Sequence, residues 1–353
     1  MLVDSSQSLN FDVTSMKQYL RQILLFLLGL VIIIVLVSFV GLEQIIQSIL
    51  SVNIMFFGLA VLVHFFLFFV RAGRWKYNLN MLEQEINIPK STSLIMLGWA
   101  ANSILPARLG DLTRAYALRK LEKIPLSVGL ATVVIERIFD ICIIFALAIS
   151  FVFFFIGTLI VPNWIFSIFV LVLTILILGA ILLVFFLRSE SFVEWIFFKL
   201  FRNRFNIHEF TTAFRQNLKL LFKNRSVIAV NILWTVGIWL LDISRCYLVV
   251  FSLGIQTEYL LVASALMLTY VVAIIPLTPG GLGSEEAIMA LFFALILGIA
   301  LPLSTSIALI DRLITFWISL IVCLLVSIAI GTFSFTFSAK EEIINNNDMD
   351  ENQ

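Results

Sequence analysis

Three arginines, Arg137, Arg245 and Arg312, stand inside long apolar runs, each with a carboxylate close by: Glu136 and Asp140, Asp242, and Asp311. A charge near the bilayer centre is unfavourable by at least about 2.5–3.5 kcal/mol on insertion scales, so each guanidinium needs a carboxylate, water or a ligand. Arginine presents a planar fork of donors that fits a phosphate in bidentate geometry. The chemistry on offer is anion recognition inside a membrane, and Glu136, Asp140 and Asp311 add groups able to exchange protons. A structural lock, with each arginine holding a broken helix by ion pairing, is the competing reading of the same residues. No nucleotide fingerprint, metal-ligand spacing or nucleophile–base pair occurs, and the chain holds two histidines. The expectation is a non-enzyme with no catalytic residue, cofactor, metal or nucleic-acid partner.

Around these charges the chain repeats itself. Pro106-Ala-Arg108-Leu-Gly110-Asp111 returns 173 residues later as Pro279-Gly280-Gly281-Leu-Gly283-Ser284. Arg74 precedes the first proline by 32 residues and Arg245 precedes the second by 34. Glu136-Arg137 follows the first by 30, and Asp311-Arg312 follows the second by 32. The glycines Gly280, Gly281 and Gly283, feeding a helix N-terminus, form a candidate phosphate cradle. Glu285 and Glu286 stand in the same first turn, and a hairpin tip capped by its own acids is the plainer reading. In the first copy Arg108 and Arg114, beside Asn102 and Asp111, are candidate phosphate contacts. Arg119, Lys120 and Lys123 read as ordinary cytoplasmic charge. Asp242 and Arg245 share a helical face where the first copy has Arg71 and Arg74, so an intrahelical pair is expected in the second half only. His64 reads as a packed polar residue.

The elements that position these groups are membrane helices. The chain is 61% hydrophobic and 13% charged, against about 25% charge in a soluble domain. Six runs are long enough to span a bilayer: 20–40, 53–74, 126–157, 163–187, 226–252 and 303–335. Two more, 92–119 and 258–300, are apolar but cut by Pro106 and by Pro276, Pro279 and the glycines, and read as re-entrant hairpins. Of 23 basic residues, nine lie in 71–123 and eight in 188–225, while 41–52, 158–162 and 253–302 hold none. The positive-inside rule then puts both termini in the cytoplasm, with the two hairpins entering from opposite sides. Arg137 and Arg312, about 11 and 9 residues into their spans, fall roughly 14–16 Å deep at 1.5 Å per residue. The expected fold is an all-α polytopic membrane protein: six spanning helices plus two re-entrant broken-helix hairpins, arranged as an inverted repeat of 20–157 and 163–335. Residues 1–19 form a cytoplasmic segment, 188–225 an interfacial one and 336–353 a disordered tail. Cys142, Cys246 and Cys323 lie in apolar runs without ligand or disulfide spacing.

Four stretches carry a family resemblance: Arg71-Ala-Gly-Arg74-Trp75, Asn102 to Arg114, Glu136-Arg137-Ile-Phe-Asp140, and Pro276 to Glu286. From about residue 20 to 335 the chain resembles the lysylphosphatidylglycerol synthase transmembrane-region family, also called flippase-like or uncharacterised protein family 0104. Asp111 stands where that family often shows glutamate. The resemblance extends to the flippase half of the multiple peptide resistance factor, in which a cytosolic transferase domain makes the aminoacyl lipid. Without that domain, the resemblance implies transport and not aminoacylation. It implies a flippase of the cytoplasmic (inner) membrane for a phosphate-bearing lipid, such as an anionic or aminoacylated phospholipid or a polyprenyl phosphate. A carrier for a small soluble anion and a membrane scaffold for a lipid-modifying enzyme are the alternatives. The expected partners are a lipid headgroup, with a homo-oligomer and a separate lipid-modifying enzyme as further ones.

Overall fold

The computed structural model describes residues 24–38, 40–105, 109–155, 207–274 and 278–329, with Val170 and Thr174. Every element among them is helical. The expected span 163–187 (apart from Val170 and Thr174), both terminal segments, Pro106, Arg108 and Pro276 lie outside the described residues. Helices α1 (Leu24–Ser38) and α2 (Leu42–Leu50) are bent by 88° at the Gly41 junction. Residues 41–52 read as a loop in the sequence, but Leu42, Ile45, Ile46 and Ile49 repeat at helical spacing and fold as α2.

Two four-helix series follow. In the first, α3 (Ile54–Asn80) leads to α4 (Ile88–Ile104), a break, α5 (Gly110–Glu122) and the long α6 (Leu126–Phe155). After α7 (Ile207–Lys223), the second runs α8 (Arg225–Ser252), α9 (Tyr259–Val272), a break containing the 3-10 turn Pro279–Gly281, α10 (Ser284–Leu297) and α11 (Leu301–Arg312). A π-helical turn, Leu313–Ile318, joins α11 to α12 (Ser319–Ala329). Asparagine caps start the principal helices: Asn53 accepts from Met55 N, Asn87 from Lys90 N and Asn224 from Ser226 N, at 2.9–3.0 Å.

Among the described residues four helices are long and apolar enough to cross a membrane: Ile54–Asn80, Arg225–Ser252, Pro279–Leu297 and Leu301–Ala329. Counting the bent α1–α2 pair makes five. Pro279–Leu297, expected as the return arm of a hairpin, has the length and composition of a span. The second span was expected to end at Arg74, but α3 continues six residues further to Asn80, so Arg71 and Arg74 stand within the helix and not at its end.

α3 and α8 pack along one another. Gly73 makes this approach possible, since a Cβ there would stand 2.9 Å from the Trp234 ring. Asn78 and Asn231 exchange amide hydrogen bonds of 3.1 and 2.7 Å across the same seam. One apolar cluster surrounds α9 and α10 and takes in Phe145 and Ala148 of α6. A second surrounds α4 and α5 and takes in Cys323 of α12, and a small third joins α6 to α7 through Ala131, Phe214 and Leu218. Each broken pair of helices is thus packed partly by the other series, and the breaks are drawn to the centre.

Candidate functional site

The two breaks meet. Leu105 is extended (φ −87°, ψ 141°), as the residue before a proline prefers, and α4 ends there. Asn102 Oδ1 accepts from Gly110 N at 2.8 Å and ties the two arms together. Gly98 and Gly110 let the arms touch, because a Cβ on Gly110 would lie 2.1 Å from the Gly98 carbonyl oxygen. In the second break Gly280 has φ +59°, and a Cβ there would stand 2.5 Å from Phe316 and 3.0 Å from Ser103 O. Ser103 belongs to α4, so the tip of the second break rests on the end of the helix that leads into the first.

Charged side chains surround this junction. In the first series Arg74 of α3 donates to Asp140 of α6 at 2.6 and 3.2 Å, donates to Thr235 at 2.8 Å, and lies 3.5 Å from Glu136. Glu136 accepts from Arg114 of α5 at 2.7 Å. Arg137 Nε lies 2.8 Å from Asp111 Oδ2, and a second nitrogen reaches Asp140 at 3.5 Å. The long helix α6 therefore presents three charges on one face, two holding α5 and one holding α3.

The second series repeats this plan with altered charges. Arg245 of α8 binds Asp311 of α11 and, within its own helix, Asp242 at 2.9 Å. The Arg74–Asp140 and Arg245–Asp311 pairs both join residues 66 apart. The structural counterpart of Asp311 is therefore Asp140, not Glu136 as adjacency to the next arginine suggested. Arg312 donates to Glu286 at 3.1 Å, to Glu285 at 3.3 Å and to Gly280 O at 2.6 Å. It is to α10 what Arg137 is to α5.

A cavity of about 190 Å³ opens between the two series, room for on the order of a dozen water-sized spheres. The family pattern described as the lysylphosphatidylglycerol synthase transmembrane region matches residues 23–323. The chain belongs to that family. The chain is similar to a UPF0104 membrane protein of Methanocaldococcus jannaschii, 23% identical over 311 residues, covering 84% of this chain and 91% of the relative. Another, of Methanothermobacter thermautotrophicus, is 27% identical over 319 residues, covering 84% and 90%. A third, of Pyrococcus horikoshii, is 26% identical over 320 residues, covering 86% and 94%. No solved structure matches. The family and the helices make this a multi-pass membrane protein.

Most of the residues the transmembrane-region sequence singled out reach the cavity. Arg74, Asn102, Asp111, Arg114, Glu136, Arg137 and Asp140 line it from the first series. Gly280, Gly281, Glu285 and Arg312 line it from the second. Arg245, Glu286 and Asp311 are not among its lining residues and serve as buried counter-ions. Gly283 faces elsewhere: a Cβ on it would lie 2.2 Å from Gly29 O, so this glycine serves the packing of α1 against the break. Arg108 lies outside the described residues. The cradle reading of the glycines meets a further fact, since Arg312 already occupies Gly280 O.

Sequence reasoning passed over four cavity residues as functional candidates: Arg71, Trp99, Trp239 and Tyr270. Arg71 carried a signal, standing one helical turn before Arg74. The aromatics carried none among so many others. His64 packs by hydrogen bonding to Ser319 Oγ at 2.6 Å and has an edge on the cavity. Among the described residues no cluster of three or more His, Cys, Asp or Glu is arranged to hold a metal.

Proposed function

We propose that this protein is a non-enzymatic transporter that flips a phosphate-bearing lipid across the cytoplasmic membrane. The observation that carries the reading is the cavity where the two breaks meet, walled by ion pairs from both series. A headgroup needs such a polar enclosure to cross the hydrocarbon, and its tails can remain in the bilayer. Membership of a family described by the transmembrane region of a lipid synthase supports a lipid as cargo.

In this reading six helices span, the two broken pairs are hairpins entering from opposite faces, and the series are inverted repeats with both termini cytoplasmic. Arg137 and Arg312 act as latches, each clamping one hairpin to its neighbouring helix. A buried ion pair is close to balanced, since the Coulomb gain is largely offset by desolvation. Parting such a pair is unfavourable unless water or the headgroup meets both freed charges, so a latch holds until the site is wet or occupied. One hairpin can open while the other stays shut, which is alternating access. Homo-oligomers and a separate lipid-modifying enzyme are compatible with this reading.

Reconstitution into liposomes tests it. Labelled phosphatidylglycerol in the inner leaflet is expected to become accessible to external dithionite at a rate set by protein content. Uptake of inorganic phosphate without lipid movement would instead assign a soluble-anion carrier.

A further inference from the structure

Among the described residues the cavity wall contains five arginines, and four of them are taken. Arg74, Arg114, Arg137 and Arg312 each hold a carboxylate within 3.3 Å. A phosphate arriving at any of these must displace an existing partner. Arg71 is different. It joins no ion pair among the described residues, and its buried Nη1 has no hydrogen-bond partner. Its guanidinium lies over the Trp99 ring, 4.8 Å from the centroid, a contact that holds the group in place without giving Nη1 an acceptor.

Other buried donors on the cavity wall also lack a hydrogen bond: Nε of Arg74, Arg114 and Arg137, whose guanidinium groups already hold carboxylates, and the indole of Trp239. Trp239 Nε1 is buried without a partner, and its ring packs on Tyr270 at 5.5 Å. Tyr270 directs its hydroxyl to Asp242 at 2.9 Å, and Asp242 also accepts from Arg245, so the nearby acid is occupied. Arginine and tryptophan side chains have donors only, and a buried donor left unmade is unfavourable by far more than the net worth of an ordinary hydrogen bond. The deficits of Arg71 and Trp239 are both corrected by one kind of guest, an anion with several acceptor oxygens. His64 supplies no donor here. Ser319 gives its proton to Ile314 O at 2.8 Å, so His64 donates through Nε2 and keeps Nδ1 as a bare acceptor.

We propose that Arg71 and Trp239 form the anion subsite of the cavity, receiving the phosphate-ester group of the cargo while the other arginines serve the latches. This deepens the transport reading and rests on it for the lipid source of that phosphate. The same chemistry could come from a soluble phosphate ester, and the test separates the two.

The test uses the full chain in detergent, titrated with phosphatidylglycerol or with glycerol 3-phosphate, with bound ligand counted by native mass spectrometry. A charge-assisted hydrogen bond is worth enough that Arg71→Gln should weaken phosphatidylglycerol binding about tenfold or more, and Trp239→Phe about threefold. Arg71→Lys should fall between wild type and Arg71→Gln. Arg71→Gln breaks no ion pair among the described residues and gives up only the Trp99 contact and longer-range attraction to Asp242, so its melting temperature in detergent should fall less than that of a latch variant. That sets it apart from variants of the latches. Undiminished binding in both Arg71→Gln and Trp239→Phe overturns the assignment, as does a wild type that binds neither ligand. Arg71-dependent binding of glycerol 3-phosphate alone supports the subsite and removes the lipid source. Arg71-dependent lipid binding in a protein that moves no lipid in liposomes supports the subsite and removes the transport reading.

Discussion

In the first series the short arm α5 carries Arg114 and Asp111 to a helix bearing Glu136 and Arg137. In the second the arm α10 carries two acids, Glu285 and Glu286, to a helix bearing Arg312. Positions 71 and 242 differ in the same sense, arginine in one and aspartate in the other. The cluster of the first series sets Arg71, Arg74, Arg114 and Arg137 against Asp111, Glu136 and Asp140, a formal excess of one positive charge. That of the second sets Arg245 and Arg312 against Asp242, Glu285, Glu286 and Asp311, an excess of two negative charges. The architecture is shared and the charge is not. One wall has an arginine without a carboxylate among the described residues, while each arginine of the other holds two acids.

If this contrast is real, removing matched carboxylates should have unequal effects. Asp311→Ala leaves Arg245, fully buried, with Asp242 alone, and should reduce stability by about 3–5 kcal/mol, read as a fall in melting temperature in detergent. Asp140→Ala leaves Arg74 with Glu136 and Thr235, and should lose about half as much. Equal losses would erase the distinction. The latch of the second series is sharpened by a double-mutant cycle, with Arg312→Gln and Glu286→Gln coupled by about 1–3 kcal/mol. Additive losses would mean that Arg312 is not a latch.

Smaller effects probe the meeting of the breaks and the outer surface. Gly280→Ala forces a left-handed backbone on an L-residue, at about 1–2 kcal/mol, and pushes a methyl against Phe316 and Ser103. Slower lipid exchange with near-normal expression is the expected result. Lys90 bridges α4 to Glu122 of α5 at 2.9 Å with half of its side chain exposed. Lys90→Ala should change stability by no more than about 0.5 kcal/mol, which makes it a control for the buried pairs.

The membrane class, the two breaks and the repeat of arginines were legible in the sequence, because hydropathy and Gly/Pro punctuation act locally. Asn102 and Gly110 read as a motif, and they do hold the break together. Partner choice was not legible. Asp140 rather than Glu136 matches Asp311 because both lie 66 residues from their arginine, a relation fixed by where helices of different segments cross. Arg71 was counted among cytoplasmic charges because the apolar run fades near Arg74, yet the polar residues Asn78 and Thr235 let α3 and α8 continue together past that point. Gly283 looked like part of a ligand cradle, and only the approach of α1 through Gly29 shows its use in packing.

The central claim is that the latches at the two breaks control the passage of a phosphate-bearing lipid. The direct measurement is dithionite access to labelled phosphatidylglycerol in liposomes bearing wild type or the Arg137→Ala, Arg312→Ala double variant at equal protein content. Wild type should expose the inner-leaflet label, and the double variant should not exceed protein-free liposomes. Equal exposure by both proteins, or none by wild type with any anionic or polyprenyl lipid, would contradict the account.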